Sequence, residues 1–303
     1  MQLSVVICTW NPRESYLRRT LSGLEAQSLP SSQWELVVID NNSMPSLSER
    51  GFDLPANGRI VREPTPGLTA ARLRGIGETA APLIVFVDDD NVLAPDYLEK
   101  ASHIAQRHPM LGAWGGRSLP EFETPPPDWM KPFWANLALH DFPADRWTNQ
   151  RDFSCFPCGA GMCLRREVAT AYVEQITRDS LRRRLGRLGS SLASAEDVDI
   201  VLTSLAVGQG VGKFTSLSLL HLIPKERLTL EYHCRLARGM GISIGQLNGR
   251  AAVRNPLSFQ STLSGLITVL REVSSPARKV RWAAFNAYRE GLRNGWAQRS
   301  STP

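Results

Sequence analysis

Leu83-Ile84-Val85-Phe86-Val87-Asp88-Asp89-Asp90 is an apolar run that ends in three consecutive carboxylates. Its aliphatic and aromatic residues, cut off at once by charge, predict a buried strand. No folding rule asks for three Asp at the end of such a strand. Their mutual repulsion is costly unless a cation neutralises it. Hard oxygen ligands at a strand's C-terminal edge suit Mg²⁺ or Mn²⁺, above all an ion shared with a substrate phosphate. The plainer alternative is a solvated acidic turn with a helix cap, since Asn91 and Asp96 also sit there.

Upstream, the same logic repeats. Leu3–Thr9 reads as a strand, followed by the polar turn Trp10-Asn11-Pro12-Arg13 and a helix with Leu17, Leu21 and Leu24 on one face. A second strand, Glu35–Ile39, ends at Asp40-Asn41-Asn42-Ser43. A short third strand at residues 59–62 precedes the turn Pro64-Thr65-Pro66-Gly67, and a helix spans about Thr69–Thr79. Continuous Val/Ile runs separated by helices predict a parallel sheet covered on both faces. Ligands of such sheets bind beyond the carboxyl ends of the strands, where Asn11, Asp40 and Asp88 become neighbours. From Ala113 the pattern changes. Residues 114–150, with Pro125-Pro126-Pro127, Trp129, Trp134 and Trp147, lack clear periodicity and read as an ordered loop or lid. Phe156-Pro157-Cys158-Gly159-Ala160-Gly161-Met162 follows, then a basic helix, then Ala195-Glu196-Asp197-Val198-Asp199. The last fifty residues look like amphipathic helices.

At 303 residues, 42% of them apolar, with 8 Trp and 10 Phe, the chain is globular and large enough for a substantial core. No uninterrupted apolar run reaches the ~18–20 residues of a membrane span. Strand-like residues begin at Leu3, without a basic region and apolar leader before them, so a cytoplasmic location is expected. Cys155-x-x-Cys158 has no second CxxC or suitably spaced His pair after it, so the five cysteines are expected to be reduced, structural thiols. The net charge of +6 is concentrated late: from Arg250 onward nine Lys or Arg face two Glu, Glu272 and Glu290. With no basic stripe interleaved with aromatics and no nucleic-acid module, nucleic acid is not an expected partner.

Together, Ser4-Val5-Val6-Ile7-Cys8-Thr9-Trp10-Asn11, Val37-Val38-Ile39-Asp40-Asn41-Asn42-Ser43 and Phe86-Val87-Asp88-Asp89-Asp90 resemble the family 2 glycosyltransferases. Pro66-Gly67-Leu68-Thr69-Ala70-Ala71-Arg72, Gly159-Ala160-Gly161 and Glu196-Asp197 extend the resemblance, which covers roughly residues 3–245. It implies a GT-A fold: an α/β, Rossmann-like, mixed but mainly parallel sheet with flanking helices, here with a C-terminal helical extension. Residues 1–112 would form the nucleotide-sugar half, residues 113–245 the acceptor-binding and catalytic half, and residues 246–303 the extension. The implied activity is inverting, metal-dependent transfer from a nucleotide sugar, with UDP the expected nucleotide, to a hydroxyl acceptor in cell-envelope or exopolysaccharide synthesis.

The resemblance also implies roles. Thr9, Asn11 and Arg13 would hold the nucleotide, and Asp40 would accept a hydrogen bond from the base, a sound use of a charge-assisted acceptor. The alternative for Asp40 is an Asx-turn closing the strand. Arg72 would contact the nucleotide or brace Asp40; the residue after it, commonly Asn in the family, is Leu73 here. Asp88 would face the ribose and Asp90 would ligate a Mg²⁺ or Mn²⁺ ion bridging the diphosphate; Asp89 between them ranks third as a donor-binding residue, since it points oppositely on extended backbone. His221, after the strand-like Leu217–Leu220, would complete the metal shell or else be a core residue. Gly159 and Gly161 would let backbone approach the donor sugar. Asp197, with Glu196 beside it, would be the general base, against the alternative of an acidic helix start.

Two other readings share this fold: a non-catalytic nucleotide-sugar-binding protein, for which only Leu73 speaks, and a sugar nucleotidyltransferase, whose Gly-rich basic turn Thr9-Trp10-Asn11-Pro12 does not supply. Processive synthases carry membrane spans and a Gln-x-x-Arg-Trp motif; here Arg278 precedes Arg281-Trp282. In the tail, Leu257, Leu263, Leu266, Ile267 and Leu270 oppose Arg271, Arg278, Lys279, Arg281, Arg289 and Arg293. Such a helix suits the inner face of an anionic membrane, near a lipid-linked saccharide acceptor. The competing expectation buries those leucines on the catalytic domain or in a homodimer. His233 reads as structural.

Overall fold

The computed structural model describes residues 1–189, 191–251, 269 and 275–300. Four parallel strands form one side of a single sheet: β1 (Leu3–Thr9), β2 (Trp34–Asp40), β3 (Gly58–Arg62) and β4 (Leu83–Asp88). The other strands are β5 (Asn91–Leu93), β6 (Leu111–Phe122), β7 (Arg146–Thr148), β8 (Cys163–Arg165) and β9 (Gly210–Ile223). The order is β3-β2-β1-β4-β8-β6-β9-β5, with β7 added against β9. Pairings of β8 with β4 and β6, and of β5 and β7 with β9, are antiparallel.

The period of two along each strand explains why the Val/Ile runs are continuous. Val5, Ile7, Leu36, Val38, Val85 and Val87 point to one face. There they meet Leu17, Leu21 and Leu24 of α1 (Glu14–Glu25) and Tyr97, Leu98 and Ala101 of α3 (Tyr97–Arg107). Val6, Val37, Ile39, Ile84 and Phe86 point to the other face, against Ala71 and Ile76 of α2 (Leu68–Glu78). That second layer continues through Val168 and Tyr172 of α4 (Arg166–Arg178) and Ile200 and Val201 of α5 (Glu196–Ala206). Both faces of β1, β2 and β4 are therefore covered, while the edge strand β3 is partly exposed and carries Arg59 and Arg62 at its surface. Leu73 belongs to the second layer, partly buried against it.

The stretch 114–150 is more regular than its sequence suggests. It holds most of β6, a 3₁₀ segment at Asp128–Leu137 and β7. Gly112, Gly115, Gly116 and Pro120 hide β6 from pattern reading. A Cβ on Gly116 would lie 2.3 Å from the Leu217 carbonyl oxygen, so close strand approach requires the missing side chain.

Contacts divide the chain into two units. The first comprises Met1–Glu121, Ala138–Arg183 and Glu196–Ile223 and carries the sheet. The second comprises Phe122–Leu137, Arg184–Ala195 and the chain from Pro224 onward. Its frame is α6 (Leu230–Ala251) packed along α7 (Ser275–Ser300). Gly241, Gly245 and Gly249 on α6 and Gly291 and Gly295 on α7 repeat every four residues. A Cβ on Gly245 would sit 2.4 Å from the Tyr288 carbonyl oxygen, and one on Gly291 2.2 Å from that of Ile242. The two backbones touch along this seam. Phe133, Ala237, Ala277 and Val280 form a small core nearby, and His233 is buried with its ring 5.3 Å from that of Trp129. Of the tail residues expected to form an apolar stripe and its basic edge, Leu257, Leu263, Leu266, Ile267, Leu270 and Arg271 lie outside the described residues. Among the described residues no helix is long and apolar enough to cross a membrane.

Candidate functional site

The parallel register brings the ends of three strands level. Thr9 pairs with Asp40 across β1 and β2, and Cys8 pairs with Asp88 across β1 and β4. Beyond these ends the chain makes a built loop system. Asn11 adopts a left-handed conformation (φ 47°), its N–H donating to Ser43 Oγ at 2.9 Å while its Oδ1 accepts from Met44 N–H at 2.9 Å. Asp40 is 1% exposed. Its Oδ1 accepts from Ser43 N–H (2.9 Å), and its Oδ2 from Leu47 N–H (3.1 Å) and the Arg62 guanidinium (3.2 Å). Asp40 thus shapes the loop, and three acceptor positions of its carboxylate are already engaged; a base contact would use what remains. Arg13 is exposed at the start of α1, its Nη1 donating to Tyr16 Oη at 3.4 Å.

Asn41 escaped sequence reasoning. It is buried, donates to the carbonyls of Glu63 (3.2 Å) and Thr65 (2.7 Å), and accepts from Gly67 N–H (2.7 Å). It ties the end of β2 to the turn that starts α2. The signal available was an Asn next to Asp40, facing a Pro/Gly turn whose amides need partners.

α2 then delivers Arg72 into the interior, 4% exposed, with its guanidinium 5.2 Å over the Phe86 ring. Its Nη1 lies 3.6 Å from Oε2 of Glu196, the first residue of α5 and itself 2% exposed. Burial alone would lower the guanidinium's pKa; Glu196 and Asp88 outweigh it and raise it. Burial pushes Glu196 up to about 7, opposed by Arg72 and assisted by Asp197, Asp199 and Asp88. Neither of its oxygens has a hydrogen-bond partner among the described residues. Asp197, half-buried, is held differently. Its Oδ2 accepts from Gly159 N–H at 3.2 Å and its Oδ1 from Val198 N–H at 2.8 Å. Gly159 is constrained from behind, since a Cβ there would lie 2.8 Å from Arg72 Nη2. Gly161 has φ 71°, and its carbonyl accepts from Tyr97 Oη at 2.6 Å. One local network therefore contains Arg72, Glu196, Asp197, Gly159 and, through its field, Asp88.

The three carboxylates after β4 diverge. Asp88 is half-buried, and its N–H donates to Asn91 Oδ1 at 3.3 Å. Asp89 Oδ2 accepts a short hydrogen bond from the Thr9 hydroxyl, so Thr9 anchors Asp89. Asp90 is 6% exposed, and its Oδ1 lies 3.4 Å from His221 Nε2. The sheet fixes this pair: Asn91 faces His221 in the β5–β9 ladder, and Leu222 N–H donates to the Asp90 carbonyl at 2.9 Å. A carboxylate oxygen beside an imidazole nitrogen fits a Mg²⁺ or Mn²⁺ ion that takes its other ligands from phosphate and water. No group of three or more His, Cys, Asp or Glu set to hold a metal occurs among the described residues, so such an ion would lean on the substrate. The cysteines are free thiols, and burial pushes Cys158 up to about 12, far from thiolate chemistry.

The family model described as glycosyl transferase family 2 matches residues 4–171, more than half of the chain. EpsH of Bacillus subtilis, named as a glycosyltransferase, is 26% identical over 101 residues, covering 32% of this chain and 28% of its own. Glycosyltransferase AglE of Haloferax volcanii is 28% identical over 102 residues, covering 32% of this chain and 33% of its own. The match thus spans a third or less of the length of these relatives. Among solved structures, S. aureus TarS residues 1–349 with UDP-GlcNAc is similar at a TM-score of 0.51 and 14% identity, over 97% of this chain and 91% of that one. Its complex with UDP gives a TM-score of 0.50 and 15% identity, over 100% and 92%. At such identity the likeness concerns the fold.

Proposed function

Because the chain belongs to glycosyl transferase family 2, we propose that it moves a sugar from a nucleotide sugar, a UDP-sugar foremost, to a hydroxyl of a saccharide acceptor, with inversion. The observation that carries this reading is Asp197, a half-buried carboxylate held by two backbone N–H groups beside the Arg72–Glu196 pair. A carboxylate oriented in this way can take the acceptor's proton as the hydroxyl attacks the anomeric carbon. Glu196, buried and raised to about 7, has no such donors among the described residues and is the less suited of the two. Arg72 holds Glu196 and shares its positive field with Asp88. The nucleoside would lie on the loops beyond β1 and β2, where Asn11, Ser43 and Asp40 set the backbone. The structural likeness to a protein solved with UDP and with UDP-GlcNAc supports the choice of donor class.

Asp90 and His221 would hold the divalent cation, which supplies charge neutralisation to the departing nucleoside diphosphate. Thr9 keeps Asp89 turned to β1, which leaves Asp88 and Asp90 for the donor. The test is a panel of nucleotide sugars with Mn²⁺, scored for binding and slow hydrolysis by the full chain. A UDP-sugar that binds and is hydrolysed supports the reading; silence across the panel ends it.

We also propose a peripheral membrane contact near a lipid-linked acceptor in cell-envelope synthesis. Its support is the exposed face of α7, where Arg278, Lys279 and Arg293 reach solvent and Trp282 is 47% exposed. Co-sedimentation with anionic vesicles that fails at both low and high salt would exclude it.

A further inference from the structure

Among the described residues, two neighbouring cations stand without an ion-pair partner. In the β7–β9 ladder Arg146 lies directly opposite Lys213, so both project from the same face. Like charges so placed repel, and a three-residue strand gains nothing from holding them there. Arg146 is exposed; Lys213 is partly buried, with its ammonium 5.3 Å over the Phe142 ring.

The acidic groups nearby are engaged elsewhere. Asp145 accepts from Thr215 N–H and its hydroxyl, both at 2.7 Å. Asp141 pairs with Arg117 at 2.7 Å. Asp152 lies within electrostatic range of both cations, but its Oδ1 caps a short turn by accepting from Ser154 N–H at 2.9 Å. The ladder that carries the cations packs, through both β7 and β9, against the short turn Phe153–Cys155, which leads into Cys158 and Gly159. Lys213 lies within electrostatic range of Cys155 and Cys158. Cys158 directly precedes Gly159, the donor to Asp197. His140, whose pKa burial lowers, is within electrostatic range of both Lys213, which lowers it further, and Asp197, which opposes the shift. An acceptor carrying its own negative charge would be repelled by Asp197 and the Asp88–Asp90 cluster unless cations of this kind offset them.

We propose that Lys213 and Arg146 form an anion subsite on the acceptor side, binding the phosphate of a phosphate-bearing saccharide whose hydroxyl is presented to Asp197. The inference rests on the transfer reading above and narrows it: neutral glycans are the poorer acceptors. Lys213 supplies a point charge steered by Phe142, and Arg146 a fork that matches two phosphate oxygens.

The experiment is calorimetry on the full chain saturated with UDP, so that the donor's phosphate positions are filled. The probes are N-acetylglucosamine 1-phosphate, its methyl diester, and N-acetylglucosamine. UDP is titrated first: if UDP does not bind, the donor reading fails, independently of this inference. With UDP bound, the phosphorylated sugar should bind at least about tenfold more tightly than the neutral one. Lys213→Gln and the exposed Arg146→Gln should each weaken it by about tenfold, as expected for a charged hydrogen bond, and Lys213→Arg should retain it. Binding of the diester as tightly as the monoester assigns a bridging phosphate, as in a lipid-linked or polymeric saccharide; preference for the monoester assigns a terminal one. Equal affinity for charged and neutral sugars, or full phosphate affinity in both Gln variants, overturns the subsite.

Discussion

Glu196→Gln should flatten one part of the stability–pH curve. Glu196 is 2% exposed, without a hydrogen-bond partner among the described residues, and 3.6 Å from the Arg72 guanidinium. Burial raises its pKa from 4.5 to about 7 in the folded chain. A carboxyl whose folded value exceeds its unfolded value favours folding fully only below the unfolded value. That advantage is withdrawn as pH rises, and is gone once pH passes the folded value. The interval from 4.5 to about 7 corresponds to ~3 kcal/mol. The assay is urea unfolding of wild type and Glu196→Gln in parallel from pH 4.5 to 8. The other carboxylates titrate in both proteins, so the difference between them isolates residue 196. Wild type should lose ~3 kcal/mol relative to the variant across this window. A difference that stays constant with pH would refute the reasoning and show Glu196 fully ionised by Arg72 throughout.

Three further outcomes follow from the geometry. Gly161→Ala should cost about 1–3 kcal/mol in urea unfolding, because φ is 71° and a Cβ would lie 2.5 Å from Tyr97 Oη. Gly245→Ala should lower the thermal midpoint, at a cost of about 1–3 kcal/mol, because its Cβ would stand 2.4 Å from the Tyr288 carbonyl and pry α6 from α7; an unchanged midpoint would mean that the seam is looser than described. Asp90→Asn should remove the gain in UDP affinity that Mn²⁺ brings to wild type, leaving titrations with and without chelator alike; a variant still responsive to Mn²⁺ would place the ion elsewhere.

Much of the first half was legible because its rules are local. Leu3–Thr9 formed the expected strand, and the carboxyl ends of β1, β2 and β4 aligned, since unbroken Val/Ile runs have few alternatives to a two-sided parallel sheet. The motif order that points to Asp197 was also visible, although the backbone donors that hold it were not. What stayed hidden depends on distant partners. The part of β6 beyond residue 113 reads as loop because Gly116 is there for a neighbour that approaches from β9. For Arg72 the resemblance implies a nucleotide contact or a brace for Asp40, and no local signal announces its pairing with Glu196, more than a hundred residues later. Asp40 offers both a base contact and a turn, and its bonds to Ser43 and Leu47 N–H build the turn. The glycine seam of α6 and α7 was in plain view, spaced by four, but glycines carry no side chain with which to mark an apolar stripe.

The central claim is that Asp197 takes the acceptor's proton. Its most direct test is Asp197→Asn, measured for both UDP affinity and sugar transfer on the full chain with Mn²⁺. The asparagine keeps the shape and can still accept from Gly159 N–H, but it cannot act as a base. Transfer should fall by about two orders of magnitude or more while UDP affinity is retained. Transfer that continues at the wild-type rate would place the base elsewhere and contradict the account.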